Sequence, residues 1–182
     1  MFYTCTIETP LGEMIGAARH GALTGLWFKD QKYFPKQIQA WESRPDHAVF
    51  HAVRSWLKNY FTGQRAGLEE FNLKLAPLGT RFQEAIWDIL MTIPYGKVMT
   101  YGGIAKIYAS AHGLKSMSAQ AVGGAVGHNP ISILIPCHRV IGANKSLTGY
   151  AGGLERKKAL LSLEGVLLEG VFKEEAWMIE SG

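Results

Sequence analysis

Residues 100–127 read TYGGIAKIYASAHGLKSMSAQAVGGAVG, and this stretch sets the architecture of the chain's second half. Thr100 is placed to cap a helix over about residues 101–108, and a second helix is expected over about 116–127. Residues 110–115 separate them, with His112-Gly113 as the turn. Two short helices around a tight, glycine-containing turn match the helix-turn-helix pattern. Spacing alone does not separate such a motif from a helical hairpin that binds nothing. The second helix is unusual inside. Gln120, Gly124 and Gly127 share one face, while Ala119, Val122 and Val126 share another. Each interior glycine costs about 1 kcal/mol against alanine, so Gly123-Gly124 implies close approach of the backbone to another surface. A neighbouring helix and a nucleic-acid groove both meet that requirement.

Upstream, Thr80 with Gln83 three residues on has the capping-box pattern, ahead of an apolar face of Phe82, Ile86, Ile89 and Leu90. Pro94 and Gly96 stop that helix. The stretch Ala76-Pro77-Leu78-Gly79 marks a domain boundary. Before it, residues 2–7, 13–19 and 23–28 are expected to be short strands, 47–61 an amphipathic helix and 71–75 a further strand. The fold class is therefore α+β: an N-terminal α/β domain over 1–78, a mainly helical domain over 79–168, and an acidic tail over 169–182. Downstream, 131–135 is an apolar run expected to be a buried strand or extended segment, and 148–153 is a glycine-rich loop leading into a helix over 154–163.

The chain has 182 residues, 47% hydrophobic and 19% charged, the balance of a globular protein. No apolar run approaches the ~20 residues needed to span a bilayer. Glu8 and Glu13 stand where a signal peptide would be basic and then apolar, so the expected location is the cytoplasm. Two cysteines, Cys5 and Cys137, are too few for a disulfide framework, and no spacing suggests a metal cage. From Gly96 to Lys158 eight basic residues face one acid, Glu155; after Lys158 five glutamates face Lys173 alone. The basic block suits a polyanionic partner or an ordinary solvated surface.

The apolar run delivers the chain into Pro136-Cys137-His138-Arg139-Val140. A cysteine after such a run is most often a small buried hydrophobe. His138 beside it is a candidate base, Arg139 a charge that favours thiolate, and Glu164 a candidate to orient the imidazole.

Those five residues resemble the active-site signature of the O6-alkylguanine-DNA alkyltransferases, the methylated-DNA–protein-cysteine methyltransferases. The match continues through Thr80-Arg81-Phe82-Gln83, Ile93-Pro94-Tyr95-Gly96, Tyr101-Gly102, Ala121-Val122-Gly123-Gly124-Ala125, Asn129-Pro130 and Thr148-Gly149-Tyr150-Ala151-Gly152-Gly153. It is strong from about Gly79 to Gly165 and loose upstream, where it is limited to Thr9-Pro10-Leu11-Gly12 and the order of elements.

The resemblance implies a ribonuclease H-like N-terminal domain and a winged-helix-like C-terminal domain. It also implies repair of DNA by direct reversal. Cys137 would take the alkyl group irreversibly from guanine O6 of an extruded base, without cofactor or metal. His138 and Glu164 would withdraw the thiol proton through a water, Tyr101 would protonate the departing guanine, and Asn129 would hold the backbone before the active-site segment. Gln120, Ala121, Gly124 and Arg139 would contact double-stranded DNA from the minor groove, and Tyr150 and Ala151 would line the loop around the base. The protein would act as a monomer. Repair of O4-alkylthymine and clustering on DNA are left open.

Two departures stand out. The family normally has arginine where Gln120 stands, a charged fork that fills the place of the flipped base. Ala151 replaces a serine found in some relatives. Rival readings are a lesion sensor that lacks the cysteine, a helix-turn-helix regulator and a cysteine hydrolase; Cys137 argues against the first.

Overall fold

The computed structural model describes residues 1–167, so the tail expected at 169–182 lies outside the described residues. The chain divides into two compact units, Met1–Leu78 with Pro130–Ser132, and Gly79–Asn129 with Ile133 onward.

The first unit is a four-stranded sheet with one long helix. Strands β1 (Tyr3–Thr9), β2 (Gly12–Arg19) and β3 (Ala22–Phe28) form an antiparallel meander, and β4 (Glu42–Ser43) adds to β1 in parallel, giving the order β3-β2-β1-β4. Alternation is clearest in β1, where Cys5 and Ile7 point inward between exposed Thr6 and Glu8. Helix α1 (Ala48–Phe61) begins where the His47 ring accepts a hydrogen bond from the Val49 amide. Its Phe50 lies against Gly16 of β2, where a methyl group would come within 3.1 Å of the ring. Met14, Phe28 and Phe50 are wholly buried and form the centre of this unit.

The strand expected at 71–75 is not formed. Glu69–Phe71 is a single 3-10 turn, and Asn72 takes a left-handed φ of 51° that interrupts any extended run. Only Leu75 pairs, in an isolated bridge to Leu23.

The second unit is mainly helical. Helix α2 (Arg81–Met91) starts with both halves of the capping box made: Thr80 Oγ1 accepts from the Gln83 amide and Gln83 Oε1 from the Thr80 amide. A short strand β5 (Met99–Thr100) leads into α3 (Tyr101–Ala111), which Thr100 caps. Helix α4 (Ala119–Gly127) begins later than 116, because Ser118 supplies its cap by accepting from the Ala121 amide. Helices α2, α3 and α4 enclose Ile86, Leu90, Ile104 and Val122, all fully buried, and Trp87 Nε1 donates to the Ala125 carbonyl at 2.9 Å. The two helices around the His112-Gly113 turn thus stand on a third, the support a helix-turn-helix needs.

After α4 the apolar run is not a strand either. Ile131 makes one bridge, to Leu26, and Ile133 then turns at φ 72°. That conformation is costly for a β-branched residue and persists only where surrounding contacts enforce it. A 3-10 turn over Cys137–Arg139 follows, then β6 (Val140–Ile141), which pairs in parallel with β5 in the register Met99↔Val140 and Thr100↔Ile141. Helix α5 (Leu154–Leu163) closes the described chain, with Leu161 buried against Val98, Ile141 and Val166.

Among the described residues no helix is long and apolar enough to cross a membrane. No group of three or more His, Cys, Asp or Glu among them is placed to hold a metal ion.

Candidate active site

The parallel β5–β6 pair decides what meets what. It fixes the Cys137–Arg139 turn, which enters β6, and the start of α3 at Tyr101, which leaves β5, on one two-residue ladder, with Thr100, the cap of α3, beside Ile141. Cys137 is 5% exposed. Its amide donates to the Ile135 carbonyl at 2.8 Å. Burial pushes the thiol up from its ordinary value, against which the Asn129 side chain, the Lys157 charge and the amides of the turn pull it down. The resting group is a thiol, and transfer of its proton is a step the site must provide.

His138 and Glu164 are brought together. The imidazole is wholly buried and its Nε2 lies 2.7 Å from Glu164 Oε1. Glu164 caps α5, which places a sequence-distant carboxylate beside the histidine. Its other contacts are the Gly96 amide to Oε2 at 3.0 Å, Arg139 Nε to Oε2 at 2.9 Å and Arg139 Nη2 to Oε1 at 3.0 Å. Burial alone would raise the Glu164 carboxyl; the interactions with His138 and Arg139 outweigh it and hold the group below the ordinary carboxylate range. Burial lowers His138 despite the attraction of Glu164, so the imidazole is neutral. A neutral imidazole pinned to an anionic carboxylate is a proton acceptor whose charged form has a ready counter-ion.

Arg139, expected among the DNA contacts, points inward. It forks onto Glu164, and its Nη1 donates to the Ile93 carbonyl, leaving the side chain 12% exposed. The guanidinium geometry suits a bidentate hold on a carboxylate.

Asn129 is buried and its Nδ2 donates to the Ile135 carbonyl at 2.8 Å, bracing the turn that precedes the cysteine. Tyr101 is half-buried, with its hydroxyl on the Thr148 carbonyl at 3.2 Å. The Tyr150 ring is half-buried and its hydroxyl is buried with no hydrogen-bond partner among the described residues. Burial first, then the Cys137 charge, raises both phenols, so the three groups share one environment. Ala151 is half-buried in the same loop.

Gln120, Ala121 and Gly124 lie together on the exposed face of α4. A methyl group added at Gly124 would meet nothing within 4 Å, and one at Gly123 only the Tyr101 ring at 3.8 Å. Gly123 thus faces α3 through the Tyr101 ring, while Gly124 meets no neighbour among the described residues. At Gly124 the helix face is bare and narrow.

Sequence reasoning missed Lys157. Counted as one of eight basic residues, it is in fact 0% exposed. Its Nζ donates to the carbonyls of Val140, Thr148 and Gly149, the last two at 3.2 and 3.1 Å. The signal was present: Lys157 shares helical spacing with Leu160, Leu161 and Glu164, the inward face of α5.

Comparison with known proteins places these features. Residues 81–166 match the family described as 6-O-methylguanine DNA methyltransferase, DNA binding domain, and residues 1–77 match its ribonuclease-like domain. The methylated-DNA–protein-cysteine methyltransferase of Mycobacterium tuberculosis is 44% identical over 164 residues, covering 90% of this chain and 93% of the relative. That of Haemophilus influenzae is 40% identical over 167 residues, 91% of this chain and 87% of the relative. The crystal structure of M. tuberculosis O6-methylguanine methyltransferase superposes with a TM-score of 0.76 at 42% identity, covering 90% of this chain and 93% of that one. The same relative in complex with DNA gives 0.74 at 40% identity, with 90% and 91% covered. The chain therefore belongs to the 6-O-methylguanine DNA methyltransferase family.

Proposed function

We propose that this protein repairs DNA by direct reversal, moving the alkyl group of O6-alkylguanine onto Cys137. The observation that carries the reading is the buried thiol beside a neutral His138 fixed on Glu164, in a chain of this family.

The residues divide the work as follows. Neutral His138 takes the thiol proton through a water, and Glu164 balances the imidazolium formed. The sulfur attacks the alkyl carbon, a C–S bond forms, and the C–O6 bond breaks with its electron pair passing to the purine. Tyr101 gives its phenol proton to that anion, having turned from the Thr148 carbonyl. No cofactor enters, because the lesion is the alkyl donor. The thioether does not revert, so each molecule acts once. Arg139 holds Glu164 anionic and oriented rather than touching DNA. Asn129 keeps the Ile135 carbonyl in place ahead of the nucleophile.

DNA is the partner, bound as a duplex by a monomer. The α4 face of Gln120, Ala121 and Gly124 lies in the minor groove, where a slim helix fits and little base readout is needed. Exposed lysines of the 97–158 block contact phosphates and give salt-sensitive affinity. The damaged base leaves the stack and enters the loop of Tyr150 and Ala151, while Gln120 fills its place.

The test is the intact mass after incubation with an O6-methylguanine duplex. One added methylene on Cys137, saturating at one equivalent, is expected. Catalytic turnover, or an unchanged mass, overturns the proposal.

A further inference from the structure

Two backbone segments meet around one ammonium group. Val140 closes the nucleophile turn, its amide donating to the Cys137 carbonyl. The carbonyl of the same residue accepts from Lys157 Nζ, which also holds Thr148 and Gly149 of the glycine-rich loop. The Thr148 carbonyl in turn accepts from Tyr101. Lys157 is thus the point where α5, the turn bearing the sulfur, the loop and the phenol of α3 are joined. Three carbonyl oxygens satisfy its donors and leave its full positive charge inside the fold. A buried lysine is rarely kept unless paired, and a methionine would fill the same volume.

We infer that Lys157 is a positioning residue for alkyl transfer, tying the Cys137 turn to the 148–149 loop and serving as the internal counter-ion of the Cys137 thiolate. The inference rests on the proposed function for the identity of the reaction, but not for the behaviour of the thiol.

The attraction is mutual. Cys137 favours the charged lysine, and Lys157 is among the groups that lower the thiol. The charged and titratable groups that feel the ammonium are Cys137 and His138 of the same turn, and Tyr101 shares the Thr148 carbonyl with it; Tyr150 of the loop acts on Cys137 instead. Arg139 is turned onto Glu164 and does not act on the sulfur as a charge partner. During transfer the sulfur changes from anion to neutral thioether; the negative charge passes to the purine and, as Tyr101 protonates it, to the phenolate, which regains a proton from the His138 imidazolium through solvent.

Two variants separate charge from hydrogen bonding. Lys157→Gln keeps a donor and removes the charge; Lys157→Arg keeps the charge. The pH dependence of Cys137 alkylation by iodoacetamide, followed by mass, needs no DNA. For Lys157→Gln the midpoint is expected to move to higher pH. A midpoint raised by about 1 lowers reactivity near neutral pH about tenfold, because the thiolate is the reacting form. Lys157→Arg is expected to restore much of it. Single-turnover transfer from the O6-methylguanine duplex should fall in parallel and recover at higher pH. If both variants fold, by thermal melting, and their iodoacetamide profiles coincide with the wild type, the counter-ion inference is wrong. If Lys157→Gln does not fold, Lys157→Arg decides: a profile moved as far as that of the denatured thiol would also overturn it. Should wild-type protein show the iodoacetamide profile but transfer nothing from the duplex, the proposed function fails while the inference about the thiol stands.

Discussion

The side-chain amide of Asn129 reaches across six residues to the carbonyl of Ile135, and between them Ile133 sits at a left-handed φ of 72°. The hydrogen bond is buried and holds a strained turn immediately ahead of the nucleophile.

Removing that brace should cost both stability and reactivity. Asn129→Ala removes one of two hydrogen bonds to the Ile135 carbonyl, which keeps the Cys137 amide, a loss of about 0.5–1.5 kcal/mol. It also removes a hydrogen bond that lowers the Cys137 thiol. Urea denaturation and the iodoacetamide rate near neutral pH should both register the change. A variant as stable and as reactive as the wild type would show that the turn holds itself.

Glu164 gives the fold an acid limit. Its folded-state carboxyl titrates below the ordinary range, so its contribution to stability is complete above the unfolded value of 4.5 and is lost as the pH falls toward the depressed one. Glu164→Gln leaves His138 and Arg139 without their anion, at a cost of about 3–5 kcal/mol for a broken buried pair. Melting temperatures across acid pH should fall steeply for the wild type and flatly for the variant.

Lys157 acts on the alkaline side, and there too stability rises with pH. Its folded value is lowered by burial from 10.5 to about 8. A base depressed in this way is deprotonated more readily folded than unfolded, so its contribution to stability grows as the pH rises from about 8 to 10.5. Arginine does not titrate there. The melting temperature of the wild type relative to Lys157→Arg should therefore climb through that window, and a constant difference would contradict the assignment.

Gln120 is exposed on α4 and lacks the charge that arginine carries at the matching family position. Gln120→Arg should tighten duplex binding, steepen its salt dependence by about one counter-ion, and speed transfer. Fluorescence anisotropy over a salt series and single-turnover rates measure both. Unchanged affinity and rate would mean glutamine serves as well.

The parts written in local sequence were legible. Thr80 and Gln83 announced α2, Thr100 announced α3, and the short run at residues 2–7 announced β1. The elements misread were those where a single backbone angle overrides composition. Asn72 ends what looked like a strand at 71–75, and Ile133 bends what looked like one at 131–135. At the site, adjacency identified Cys137 and His138, but the Gly96 amide on Glu164 and the inward turn of Arg139 depend on parts of the chain far apart in sequence. Lys157 was counted by its charge. Its spacing with Leu160 and Leu161 carried the better information.

The carboxylate that fixes His138 stands at residue 164, held by an amide from residue 96. On the ribosome, Cys137 leaves the exit tunnel before Glu164 has emerged. A half-made chain therefore carries its nucleophile and its imidazole without the carboxylate that fixes that ring.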